Sequence, residues 1–118
     1  MSFANRASAK VFRDKLEIPV IQGGMGVGIS MGKLAGSVAA CGGMGVISTA
    51  LIGFREEDFY QNHVEADVRA LRKEIQIAKE IANGRGMIAI NAMTVTTDYR
   101  ECIEAAVREG IDAIISGA

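Results

Sequence analysis

The sequence predicts an α/β fold built from parallel strand–helix units, and three observations predict it. Four short apolar runs, residues 18–21, 45–48, 87–90 and 113–116, are continuous rather than alternating, as strands buried on both faces of a parallel sheet read. Amphipathic helical patterns lie between them. Glycines punctuate the junctions. The resulting order β-α-β-α-β-α-β implies right-handed crossovers.

The stretch up to Glu17 is mixed and charged and predicts a lead-in helix over 1–17. The first strand, Ile18 to Ile21, comes next. A helix is expected from about Met31 to Ala40, with Ser30 placed to cap it and Gly42-Gly43 to stop it. The second strand covers 45–48. The longest helix is expected from about Val64 to Ala82, where Val64, Val68, Leu71, Ile75, Ala78 and Ala82 recur at steps of four and three. Asn83-Gly84 ends it. After the third strand, Tyr99 to Arg108 predicts a helix with Ile103, Ala106 and Val107 on one face, Thr97 or Asp98 as cap and Gly110 as terminator. The last strand is 113–116. No linker or low-complexity segment divides residues 1–118, so they read as one domain.

Composition bounds what this domain does. The chain has 118 residues, 49% apolar and 23% charged, with a formal net charge of −1, which argues against disorder and against a basic nucleic-acid surface. Cys41 and Cys102 are too few for a disulfide framework and predict a reducing, cytoplasmic location. No apolar stretch reaches the ~20 residues of a membrane span, and the first residues lack a signal-peptide apolar core. The segments 37–50 and 105–118 echo each other: helix end, glycine, apolar strand, then Ser-x-Ala. Either every helix–strand junction looks like this, or a (β/α) unit is repeated as in a barrel.

The densest motif is Gln22-Gly23-Gly24-Met25-Gly26-Val27-Gly28, directly after the first strand. It fails G-x-G-x-x-G, because Ile29 and Met31 stand where glycine is needed. It also fails the P-loop, because Val27 and Leu34 break that pattern. It reads as a ligand-facing loop with exposed backbone N–H groups, or as a plain flexible turn. Asn91, after the third strand, either presents its amide to a flat heteroaromatic ligand or forms a turn. Met25 and Met93 stand at strand ends and could line a pocket. His63 is the sole histidine. Glu65 and Asp67 are not expected to converge with it, so no metal site is assigned. The charges of the long helix, Asp67 included, read as its solvated face, and both cysteines read as small buried hydrophobes.

Two segments carry a resemblance. Ile18-Pro19-Val20-Ile21-Gln22-Gly23-Gly24-Met25-Gly26, followed by Leu34 to Ile47 with Cys41-Gly42-Gly43-Met44-Gly45, resembles the nitronate monooxygenase (2-nitropropane dioxygenase) family. That family is similar in turn to the FMN-dependent enoyl-acyl-carrier-protein reductases. The segments 88–93 and 112–118 fit the same pattern. The resemblance implies a TIM barrel with FMN at the C-terminal ends of its strands. Gly23, Gly24 and Met25 would contact the flavin through their backbone, and Asn91 through its amide. The implied activity is that of a flavoprotein oxidoreductase, a monooxygenase acting on alkyl nitronates with O2. The enoyl reductase, with an enoyl thioester substrate, is the alternative, and a non-catalytic α/β assembly module is another.

A TIM barrel takes eight units and about 250 residues. Four strands and three main helices therefore read as the N-terminal half of one. The family's catalytic histidine and phosphate loops are expected beyond Ala118, so no catalytic residue is assigned here and FMN is expected to bind weakly or not at all. An open inner face and unpaired strand edges predict self-association.

Overall fold

Three of the four apolar runs pair into a parallel sheet: β1 (Met44–Ser48), β2 (Met87–Met93) and β3 (Ala113–Gly117), side by side in chain order. The structure is a computed structural model and describes Lys10 and residues 12–118. The connecting helices are α1 (Gly32–Ala40), α2 (His63–Ala82) and α3 (Tyr99–Arg108). Helix α3 matches its expected limits, and β2 runs three residues beyond the expected 87–90. Register aligns Met44 with Met87, Val46 with Ala89 and Ser48 with Asn91, then Asn91 with Ile115. Of the 1–17 lead-in, residues 1–9 and 11 lie outside the described residues; 12–15 are helical.

The first run, expected as a full strand over 18–21, forms only one parallel bridge, Ile21 to Met44. The amide of Met44 donates to Val20 (2.9 Å) and that of Gln22 to the carbonyl of Met44 (3.0 Å). Above that point the ladder is continued by the side chain of Gln22. The run still lies beside β1, so the spatial order matches the chain order without reversal.

Alternation along the strands sorts the core into two layers. Ile47, Ile88, Ile90 and Ala92 face the helices and pack with Ala35, Leu71, Ile75, Ala78 and Ala106. Met44, Val46, Met87 and Ala89 face the other way and pack with Leu16 and Ala113. The lead-in therefore closes the N-terminal end of this inner face. Lys15 pairs with Asp112 (2.5 Å) and Glu17 with Arg85 (2.9 Å) beside it. The outer edge differs: Ile114 and Ile115 of β3 are exposed. Among the described residues, no helix is long and apolar enough to cross a membrane.

Ser30 is not the cap of α1. Met31 holds that position and offers no side-chain cap. Instead Glu74, from α2, accepts the orphan Gly32 N–H at 2.7 Å. The two helices approach that closely because Gly32 and Gly36 face Glu74 and Ala78. Asp98 stands at the cap position of α3 without a side-chain cap bond. Cys41 is exposed rather than buried, since it ends α1, whereas Cys102 is buried as expected.

Gly45 is the tightest contact of helix on sheet, because a Cβ there would overlap the Ala35 carbonyl. Gly45→Ala is expected to destabilise the fold by about 1–3 kcal/mol in urea denaturation, through overpacking. Gly117→Ala, with nothing within 4 Å of its Cβ position, is expected to stay within about 0.5 kcal/mol of the parent.

Candidate functional site

The inner face changes character along the strands. Its lower rungs are Met44 with Met87 and Val46 with Ala89; its top rung is Ser48 with Asn91. Alternation places all of these on one face. A polar rung thus lies at the C-terminal strand ends, where α/β folds bind ligands.

The glycine loop is laid across that rung by Gln22. Its carboxamide accepts from Val46 N (Oε1, 2.9 Å) and donates to Val46 O (Nε2, 3.2 Å). These replace the two bonds that a continuing parallel strand would make to Val46 through the carbonyl of residue 22 and the amide of residue 24. The side chain therefore supplies the ladder while the main chain departs as a loop. Ser30, 1% exposed, clasps the far end. Its hydroxyl accepts from Met25 N (2.8 Å) and from Gln22 Nε2 (3.0 Å), while its amide donates to Met25 O (2.9 Å). Ser30 O then accepts from Ser48 N (3.0 Å), tying the clasp to β1.

Glycine is required where the loop meets the rung. A Cβ on Gly24 would lie 2.8 Å from Asn91 Cβ and 3.1 Å from Val46 Cγ1. A Cβ on Gly26 would lie 3.0 Å from that of Ala50. At Gly28, φ is +76° and the Phe54 ring occupies the Cβ position. Gly23, by contrast, faces open space.

The structure brings Gly24 against Asn91, with Gly23 and Met25 on either side of it in the loop. Asn91 lies within β2 rather than in a turn. Its carbonyl accepts from Thr49 N (3.0 Å) and Thr49 Oγ1 (3.2 Å). Met25, Val27 and Ile29 stay exposed on the loop, and Met93 is 38% exposed beyond the rung. The roles of Ser30, Ser48 and Thr49 are not legible from spacing. A strand register would point to Ser48, because it pairs with Asn91.

A second cluster lies at the N-terminal ends of α2 and α3. Asp67, read from sequence as part of a solvated face, is fully buried. Its Oδ1 accepts the Gly53 amide at 2.6 Å, pinning the loop between β1 and α2. Arg69, paired with Glu56 and Asp58, and Lys73, paired with Glu56, hold the same loop from outside. Those partners, Lys73 before Arg69, hold the Glu56 carboxyl below its usual range. His63 does converge with Asp67, contrary to expectation: Nδ1 lies 3.3 Å from Oδ2 because residues four apart share a helix face. Asp98, 4% exposed, joins them, and Cys102 Sγ lies 3.4 Å from its Oδ2. Burial first, then Asp98, push the Cys102 thiol up, which disqualifies it as a nucleophile.

Burial, then the adjacent Asp98 carboxyl, raise Asp67 to about 6, against the opposing Gly53 N–H. The folded state therefore binds more protons than the unfolded chain between about pH 4 and 6, and stability falls as pH rises through that window. Asp67→Asn is expected to remove this fall, so that the stability difference between variant and parent grows in the variant's favour from pH 4 to 6. Urea denaturation at each pH in the presence of a chelator measures it.

No known protein family, curated protein or solved structure matches the chain.

Proposed function

We propose that these units are the N-terminal half of an FMN-binding (β/α)8 barrel, an oxidoreductase of the nitronate monooxygenase type. One observation carries the reading: the Gln22–Gly28 loop and the Asn91 amide meet on a polar rung at the C-terminal strand ends. The sequential strand order supports it, because open doubly wound sheets reverse order at a switch point. The exposed β3 edge is where a further barrel unit, or a second copy, would pair.

The residues fit one side of a flat heteroaromatic ring. Gly23 leaves its surroundings open to a ligand, Gly24 keeps the loop low over Asn91, and exposed Met25 offers an apolar, polarisable contact. The Asn91 carboxamide can both donate and accept at the edge of such a ring. FMN, when bound, supplies the redox chemistry; the chain holds and orients it and shields it from water. The substrate class on this reading is an alkyl nitronate, with O2 as oxidant.

Flavin fluorescence titration tests the reading. FMN is expected to be quenched saturably but weakly by the chain, and Gly24→Val or Asn91→Ala to weaken binding by about tenfold, the worth of one hydrogen bond or contact. Equal quenching by parent and variants would contradict it.

A further inference from the structure

We propose that His63, Asp67 and Asp98 form a binding site for one divalent transition-metal ion of the zinc class, joining α2 to the turn that precedes α3. One ligand atom from each of the three residues lies within 4.8 Å of the others. The His63 Nδ1 to Asp67 Oδ2 distance is 3.3 Å. That is the edge of a tetrahedron whose centre sits about 2.0–2.1 Å from nitrogen and oxygen ligands, which spans about 3.3–3.4 Å.

A second, independent observation concerns Asp67 itself. Its side chain is completely buried, and Oδ2 has no hydrogen-bond partner while pointing at His63. A buried carboxylate oxygen left without a partner is costly and needs an explanation. Asp98 brings a second nearly buried carboxyl to the same point, so two acids face one imidazole. A dication between them would satisfy the orphan oxygen and neutralise both carboxylates.

The surroundings suit a held ligand set. Gly53 N–H fixes Asp67 through Oδ1, leaving Oδ2 for a metal. Cys102 Sγ sits beside Asp98 Oδ2, and the Phe59 ring packs edge-on against His63 with centroids 5.0 Å apart. Such outer contacts orient metal ligands. The His63 side chain is 36% exposed and gives access from solvent. One imidazole and two carboxylates favour zinc or manganese over an all-oxygen ion. The bound ion would link the loop before α2, through Gly53, to the turn before α3.

Zinc titration of the metal-free full chain against a chromophoric chelator tests this, in a Cys41→Ser background that removes the exposed thiol. One equivalent is expected to bind, to raise the melting temperature, and with cobalt in its place to give the intense visible bands of a four-coordinate ion. His63→Gln, at a partly exposed position, and Asp98→Asn are each expected to weaken zinc binding by at least about tenfold and abolish the cobalt bands. Absence of binding would overturn the proposal. Binding undiminished in His63→Gln or Asp98→Asn would overturn it equally, as an ion held elsewhere.

Discussion

The side chain of Gln22 takes the place of a length of strand. Its carboxamide exchanges two hydrogen bonds with Val46, so β1 stays paired on its outer side after the main chain has left the ladder. The glycine loop depends on this substitution. Without it, the chain would either continue as a strand, with no loop over the inner face, or leave the buried Val46 amide and carbonyl without partners. Half of the device appears at the opposite end of the sheet, where a side chain supplies one of the two bonds. There Asp112 donates its amide to Ile88 O (2.9 Å) and accepts Ile88 N through Oδ2 (2.9 Å).

Gln22 thereby divides the inner face in two. Below the rung of Val46 and Ala89, methionines and Leu16 make a dry layer closed by the lead-in. Above it, Ser48 and Asn91 are roofed by glycines whose missing side chains permit the approach. Ser30 completes the arrangement with three bonds to Gln22 and Met25. A loop held at both ends is pre-organised, which lowers the entropic cost of presenting backbone groups to a ligand.

Much of this fold is legible in the sequence, and the failures share a physical cause. Continuous apolar runs mark β1, β2 and β3, and the step pattern from Val64 to Ala82 marks α2 to within a residue. Those signals are local, and burial enforces them. Ser30 reads as a cap because serine before a helix ordinarily is one; a carboxylate 42 residues away takes that role instead. Asp67 reads as solvated because its charge resembles that of its exposed neighbours, while its burial is decided by the loop folded over it at Gly53. The glycine loop and Asn91 each read as ligand-facing from the residues themselves; assigning Gly23, Gly24, Met25 and Asn91 to one site rests on a resemblance. The polar rung beneath them needs the register between strands.

The placement of the glycine loop turns on the pairing of Gln22 with Val46, and amide hydrogen exchange at Val46 measures it directly. In the parent chain the Val46 amide is expected to exchange as slowly as the amides within β2. In Gln22→Leu it is expected to exchange about ten- to a hundredfold faster, with β2 amides retaining most of their protection, because only the outer side of β1 loses its partner. Protection of Val46 unchanged by Gln22→Leu would mean that the side chain does not carry the ladder, and the explanation of how the loop is placed would fail.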